Sequence, residues 1–161
     1  GAATASGPSC ARRSGKATSC MPDPEHEADA RRWLRYAGED LSIATLVLEQ
    51  PSPVAREACW LEQQATEKAL KAFLVFLEID FRRTHDLDAL RDLLPATSLT
   101  SARHPDLGAL TNWAIEARYP GDWSEPTLEE AHAAVSQAEQ VLASVRIDLL
   151  AQGIRAPNFG V

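Results

Sequence analysis

An all-α fold, built as an antiparallel four-helix up-and-down bundle with one additional short helix, is what this sequence predicts, and three observations predict it. Apolar side chains recur at intervals of three and four over long stretches, as they do on helices that bury one face. Only 6% of residues are aromatic while 45% are hydrophobic, much of that Ala and Leu, which favours packed helices over a sandwich or barrel. At 161 residues the chain suits one domain with its own core.

Residues 1–20, GAATASGPSCARRSGKATSC, are small and polar and lack periodicity, and the only methionine, Met21, follows them. They read as a leader contributed by a vector or a misplaced start, with a disordered native extension as the alternative. The helical domain is expected over residues 21–152 and a flexible tail over 153–161.

The first helix begins at Pro24. Its buried face reads Trp33, Tyr36, Ala37, Leu41, Ala44, Val47 and Leu48, and Pro51-Ser52-Pro53 stops it. The second starts near Pro53, a residue suited to a first turn, and runs to about Ile79. Ala58, Leu61, Ala65, Ala72, Phe76 and Ile79 mark one side of it, and Trp60, Leu70, Leu74 and Leu77 another. A helix apolar on two sides is buried on two sides. Thr84 is the expected N-cap of a short helix carrying Leu87, Leu90, Leu93 and Leu94 and ending at Pro95. A fourth is expected from near His104 to Ala117, with Leu107, Leu110, Trp113 and Ala114 inward, before Tyr119-Pro120-Gly121 breaks the chain. The last has the cleanest start, Thr127-Leu128-Glu129-Glu130 as a capping box. Its face is Leu128, Ala131, Val135, Ala138, Leu142, Val145 and Leu149.

The formal charge is −7, unevenly placed. Residues 1–20 hold Arg12, Arg13 and Lys16 and no acid, leaving 13 basic against 23 acidic side chains, a balance of −10. Such a fold is a poor general binder of phosphate backbones, so any RNA contact must be local. Cys10, Cys20 and Cys59 form no Cys-x-x-Cys, and no paired histidines stand at metal spacing. No run of about 18 apolar residues exists and the N-terminus lacks an apolar signal core, so cytoplasmic location is the default.

The stretch from Gln63 to Leu87, QQATEKALKAFLVFLEIDFRRTHDL, joins an Ala- and Leu-rich helix to a basic turn. Together with Ala117-Arg118-Tyr119-Pro120-Gly121 it resembles the HEPN family, over about Ala30 to Val145. These are small helical proteins often encoded beside minimal nucleotidyltransferases. In the family's ribonucleases an Arg precedes a His by four to six intervening residues. The resemblance would then imply metal-independent cleavage, the His moving a 2′-hydroxyl proton and the Arg offsetting phosphate charge, in a site shared by two subunits. Here none of His26, His85, His104 and His132 has an Arg at that distance, and Arg118 is followed at that distance by Trp123, Ser124 and Glu125. The nuclease motif is absent.

Arg82-Arg83-Thr84-His85-Asp86 resembles the family's Arg-Thr-His-Asp-Leu turn. Structurally it reads as a helix start, with Thr84 capping, Asp86 at the positive end and His85 bonded to backbone. Functionally, two guanidiniums and an imidazole at one boundary make an anion site for nucleotide or RNA phosphate. Glu67 and Lys71, at i,i+4, read as a solvated surface pair beside Lys68. Arg118 and Tyr119 are candidates to line the same cleft as Arg83 and His85, with Lys68 or Lys71 as further phosphate contacts. Cys59 reads as a small packing residue, and the sequence implies no cofactor and no metal.

Three functions follow. The leading one is a homodimeric interaction protein, partner of a minimal nucleotidyltransferase in a toxin–antitoxin or substrate-binding pair, touching nucleotide or RNA phosphate. The others are an endoribonuclease toxin using Arg82, Arg83 and His85 at unusual spacing, and a stand-alone nucleotide-binding module. The homodimer is expected because a four-helix monomer would leave one side of the second helix wet, with the interface drawn from that helix and the last.

Overall fold

The computed structural model describes residues 23–116, for the last four of these the backbone alone, and residues 124–154. The leader, Arg118, Tyr119, the break around them and the tail after Ile154 lie outside the described residues, as do the side chains of Trp113 and Ala114. All regular structure among the described residues is helical: α1 (Pro24–Leu48), α2 (Ala55–Phe76), α3 (Leu87–Arg91), α4 (Leu99–Arg103), α5 (Gly108–Glu116) and α6 (Leu128–Ala151). The all-α class is as expected. In place of four comparable rods there are three long helices, a shorter α5 and two five-residue helices, one more than expected.

α2 is the central element, packed most extensively against α1 and then against α6 and α5. Lys68 meets Asp40, Lys71 lies over Trp33, and Asp23 bonds Glu78, so α1 and α2 run antiparallel. From Ala58 to Phe76 nearly every turn of α2 is buried. A single chain therefore covers both sides of this helix, which removes the exposed side from which a dimer interface on α2 was expected. The apolar side chains left in water are elsewhere, among them Ile43 and Leu46 on α1 and Ile147 and Leu150 on α6.

On α1 the buried face is Ala30, Leu34, Ala37, Leu41, Ala44 and Leu48, one position off the predicted stripe at several turns. Tyr36 is 46% exposed, while Trp33 and Val47 are only partly buried. On α6 the predicted face is buried except Leu128, and in the turn after α3 Leu93 faces water. α2 begins two residues after Pro53, with Val54 at the N-cap.

Several boundaries differ from the sequence reading for local reasons. Asp86, not Thr84, caps α3, its carboxylate accepting from Ala89 N; the Thr84 hydroxyl instead accepts from Asp86 N and shapes the approach. α4 begins at Ser98, whose hydroxyl accepts from Ser101 N. Its remaining free amides, Leu99 N and Thr100 N, are taken at 2.8 Å by Asp148 of α6. His104 closes α4 instead of opening a helix, and its buried ring meets Ser144 Oγ at 3.0 Å. The capping box at α6 is complete, Glu130 N donating to Thr127 Oγ1 and Thr127 N to Glu130 Oε2. α2 and α6 close alike: Glu78 (φ 55) and Gly153 (φ 93) take the left-handed position, and the amides of Ile79 and Ile154 reach back to Leu74 O and Leu149 O. Ile154 is thereby tucked into the core.

Candidate functional site

Gln63, Glu67 and Lys71 follow one another at i,i+4 from the middle of α2 toward its C-terminus, on a face that the fold covers. The expected solvated pair is thus a buried one, with Glu67 6% and Lys71 8% exposed. Lys71 Nζ donates to Glu67 Oε1 at 2.6 Å. Its ammonium also lies 5.9 Å from the ring centre of Trp33 on α1 and 5.7 Å from that of Phe81. The second carboxylate oxygen, Oε2, receives Gln63 Nε2 at 3.2 Å and meets His85 Nδ1 at 2.9 Å. Burial alone would raise the Glu67 carboxyl; hydrogen bonds from Lys71, His85 and Gln63 and the Lys71 charge outweigh it and hold it below the usual carboxylate range.

That ionised acceptor fixes the imidazole. A carboxylate can only accept, so His85 carries its proton on Nδ1 and turns Nε2 away from the helix. Gln63 Nε2 also donates to His85 O at 3.3 Å, so α2 holds both ends of the residue. The bond the sequence reading assigned to a neighbouring backbone is made instead to a buried side chain eighteen residues away. His85 remains 57% exposed over its side chain, and Nε2 has no partner among the described residues.

The turn that carries His85 starts where Glu78 ends α2. From Ile79 to Thr84 the chain forms no helix, and Phe81 lies against the core while Arg82 and Arg83 point outward, both exposed. Neither guanidinium has an acidic partner among the described residues, whereas Arg31, Arg35, Arg56 and Arg91 each pair with a carboxylate. The Glu67–Lys71 pair neutralises itself, and the charges left exposed at this end of α2 are those of Arg82 and Arg83 together with Glu78, Asp80 and Asp86. An anion approaching the turn meets two guanidiniums and an oriented imidazole.

The fold brings Arg82, Arg83, His85 and, beneath them, Lys71 into one region. Lys68 is elsewhere: it pairs with Asp40 on α1 and faces away from the turn. Arg118 and Tyr119 lie outside the described residues. No cluster of three or more potential metal ligands occurs among the described residues. Cys59 is buried, its thiol pushed up to about 12 by burial, then by Glu62 and Glu130.

Sequence reasoning missed Gln63 and Glu67 as the residues that orient His85, although their i,i+4 spacing with Lys71 was the available signal. It also missed Glu62, which is fully buried with neither carboxylate oxygen partnered among the described residues, so that burial pushes its carboxyl up to about 9. It sits near Cys59, on a different face of α2 from Glu67, and takes no part in the cluster described above.

A small helical bundle whose second helix is followed by a basic Arg-Arg-Thr-His-Asp turn defines the class of protein. The sequence model of the HEPN domain matches residues 30–148, and the chain belongs to the HEPN domain family. Two solved structures agree in fold. A protein from Thermus thermophilus is 26% identical with a TM-score of 0.59, covering 74% of this chain and 97% of its own. An archaeal HEPN homologue is 23% identical with a TM-score of 0.53, covering 73% and 94%. No curated protein matches the chain. Among the described residues no helix is long and apolar enough to cross a membrane.

Proposed function

We propose that this HEPN domain is a homodimeric interaction protein, the partner of a minimal nucleotidyltransferase, and that its Arg82–Arg83–His85 turn holds the phosphate of a nucleotide or RNA. One observation carries the reading: two exposed guanidiniums, without carboxylate partners among the described residues, stand three and two residues before an imidazole that buried Glu67 holds in one orientation. In a fold of charge −10 outside its leader, this is where potential can favour an anion.

Binding of a nucleoside monophosphate should weaken as salt rises, and Arg83→Ala should weaken it about fivefold further while the helical circular dichroism stays unchanged. Unaltered binding in Arg82→Ala/Arg83→Ala would sink the anion site. The partnership is tested by co-expression with a small nucleotidyltransferase encoded in the adjacent reading frame; failure of the two to co-purify removes that part. For the dimer, the apolar faces a second copy would cover are those of Ile43 and Leu46 or of Ile147 and Leu150. Light scattering showing only monomer at tens of micromolar defeats it.

A second reading has its own support. A carboxylate fixing Nδ1 of an exposed imidazole is an arrangement suited to general acid–base work, with Nε2 taking a 2′-hydroxyl proton and an arginine offsetting phosphate charge. The missing Arg-to-His spacing argues against it, and purified protein is expected to cut RNA little or not at all. Cutting that His85→Ala abolishes in a folded protein would reverse the ranking.

A further inference from the structure

We infer that the Trp33 face of α1, next to the basic turn, is a stacking subsite for the base of a nucleoside phosphate whose phosphate lies at Arg82, Arg83 and His85. The inference rests on the anion site proposed above and specifies what is attached to the anion. Two observations lead to it. Trp33 and Phe81 flank the same Lys71 ammonium, and Lys71 shares Glu67 with His85, so the indole and the anion-binding turn border one continuous cluster. Trp33 is also only partly buried, and with Asp29, Arg32 and Tyr36 it lines an open groove on the outer side of α1.

The chemistry of that groove suits a base. Tyr36 is 46% exposed on a face that carries no core duty, and the Arg35 guanidinium lies 4.7 Å from its ring centre. Asp29 and Arg32 pair with each other at the rim, leaving the groove close to neutral. A neutral aromatic groove attracts no phosphate, while the turn beside it does. A ligand with a flat π-face at one end and a phosphate at the other satisfies both, and stacking on an indole accepts any base. The same chemistry is offered by a free nucleotide and by the phosphorylated end of a single-stranded RNA.

The test compares inorganic phosphate, AMP, GMP and a short 5′-phosphorylated oligoribonucleotide on the full chain, with Trp33→Leu to remove the π-face but keep apolar packing, and Trp33→Phe to restore a ring. Wild type should bind the nucleotides at least tenfold more tightly than inorganic phosphate, and Trp33→Leu should erase about tenfold of that while leaving phosphate binding unchanged. Trp33→Phe should recover most of it. Tighter binding of the oligonucleotide than of AMP assigns the subsite to RNA ends; equal binding assigns it to free nucleotide. If nucleotides bind no better than inorganic phosphate, or Trp33→Leu weakens both alike, the stacking subsite is wrong and the anion site stands. If wild type binds none of the four ligands, both readings fall.

Discussion

Glu62 and Glu67 stand five residues apart on one helix, both removed from water, and the fold treats them in opposite ways. Glu67 has three partners, Lys71, His85 and Gln63, and stays ionised. Glu62 has no partner for either oxygen among the described residues, and burial pushes it up to about 9, which favours the protonated form at neutral pH. The helical twist turns the two onto different faces, one toward the functional cluster and one toward the packing near Cys59. Burial by itself thus does not decide the state of a carboxyl. The donors placed around it do, and Gln63, Lys71 and His85 all lie on the side of Glu67.

The largest effect should come from removing the charge that Glu67 provides. Glu67→Gln leaves the Lys71 ammonium buried without its counter-ion and loosens His85, and an ion pair broken in this way costs about 3–5 kcal/mol. Urea unfolding at pH 7 measures it; a loss below about 1 kcal/mol would show that the pair is not buried in solution. The pH dependence has a sign. Because the folded Glu67 value is depressed, its contribution is present above the unfolded value of 4.5 and is lost as pH falls through the folded one. Glu67→Gln should therefore flatten the acid limb of the stability profile.

Glu62→Met makes the contrasting case. With a folded value near 9 against 4.5 unfolded, Glu62 carries no ionisation cost while both states are protonated, and only the desolvation of its neutral carboxyl remains. Its cost grows as pH rises from about 4.5 toward 9 and levels off above that. The substitution should stabilise by about 3 kcal/mol more at pH 7 than at pH 4. Equal effects at the two pH values would mean that Glu62 ionises in the folded protein with a partner beyond the described residues.

How much of this could be read from sequence follows the same division. The long helices were legible because their apolar spacing reports a one-dimensional period, and Thr127 with Glu130 announced α6 through a local hydrogen-bond pair. The burial of Gln63, Glu67 and Lys71 was not, since an i,i+4 ladder looks the same in sequence whether water or α1 lies over it. The covering of α2 is a tertiary fact, supplied by α1, α5 and α6 together, and it also removed the reason for placing a dimer interface there. Thr84 and Asp86 are both capping residues two positions apart, and only the backbone path from Glu78 decides between them. The start of α4 depends on Asp148, which lies forty-nine residues beyond Leu99. Arg82, Arg83 and His85 were legible as a basic turn, whereas the carboxylate that orients the imidazole was not.

The smallest effect sharpens the comparison from the solvent side. Lys68 and Asp40 join α2 to α1 through another ion pair, but their side chains are 23% and 20% exposed, against 11% and 8% for Lys71 and Glu67. Water reaches both groups, so neither pays the full desolvation cost, and screening reduces their attraction. A double-mutant cycle with Lys68→Met and Asp40→Asn should return a coupling of about 0.5–1 kcal/mol that shrinks in high salt. The Glu67–Lys71 coupling, measured the same way, should hardly respond to salt because counter-ions cannot enter between Trp33 and Phe81. Equal salt sensitivity of the two couplings would mean that the cluster under His85 is wet, and the grading of α2 from solvated pair to buried orienting carboxylate would collapse.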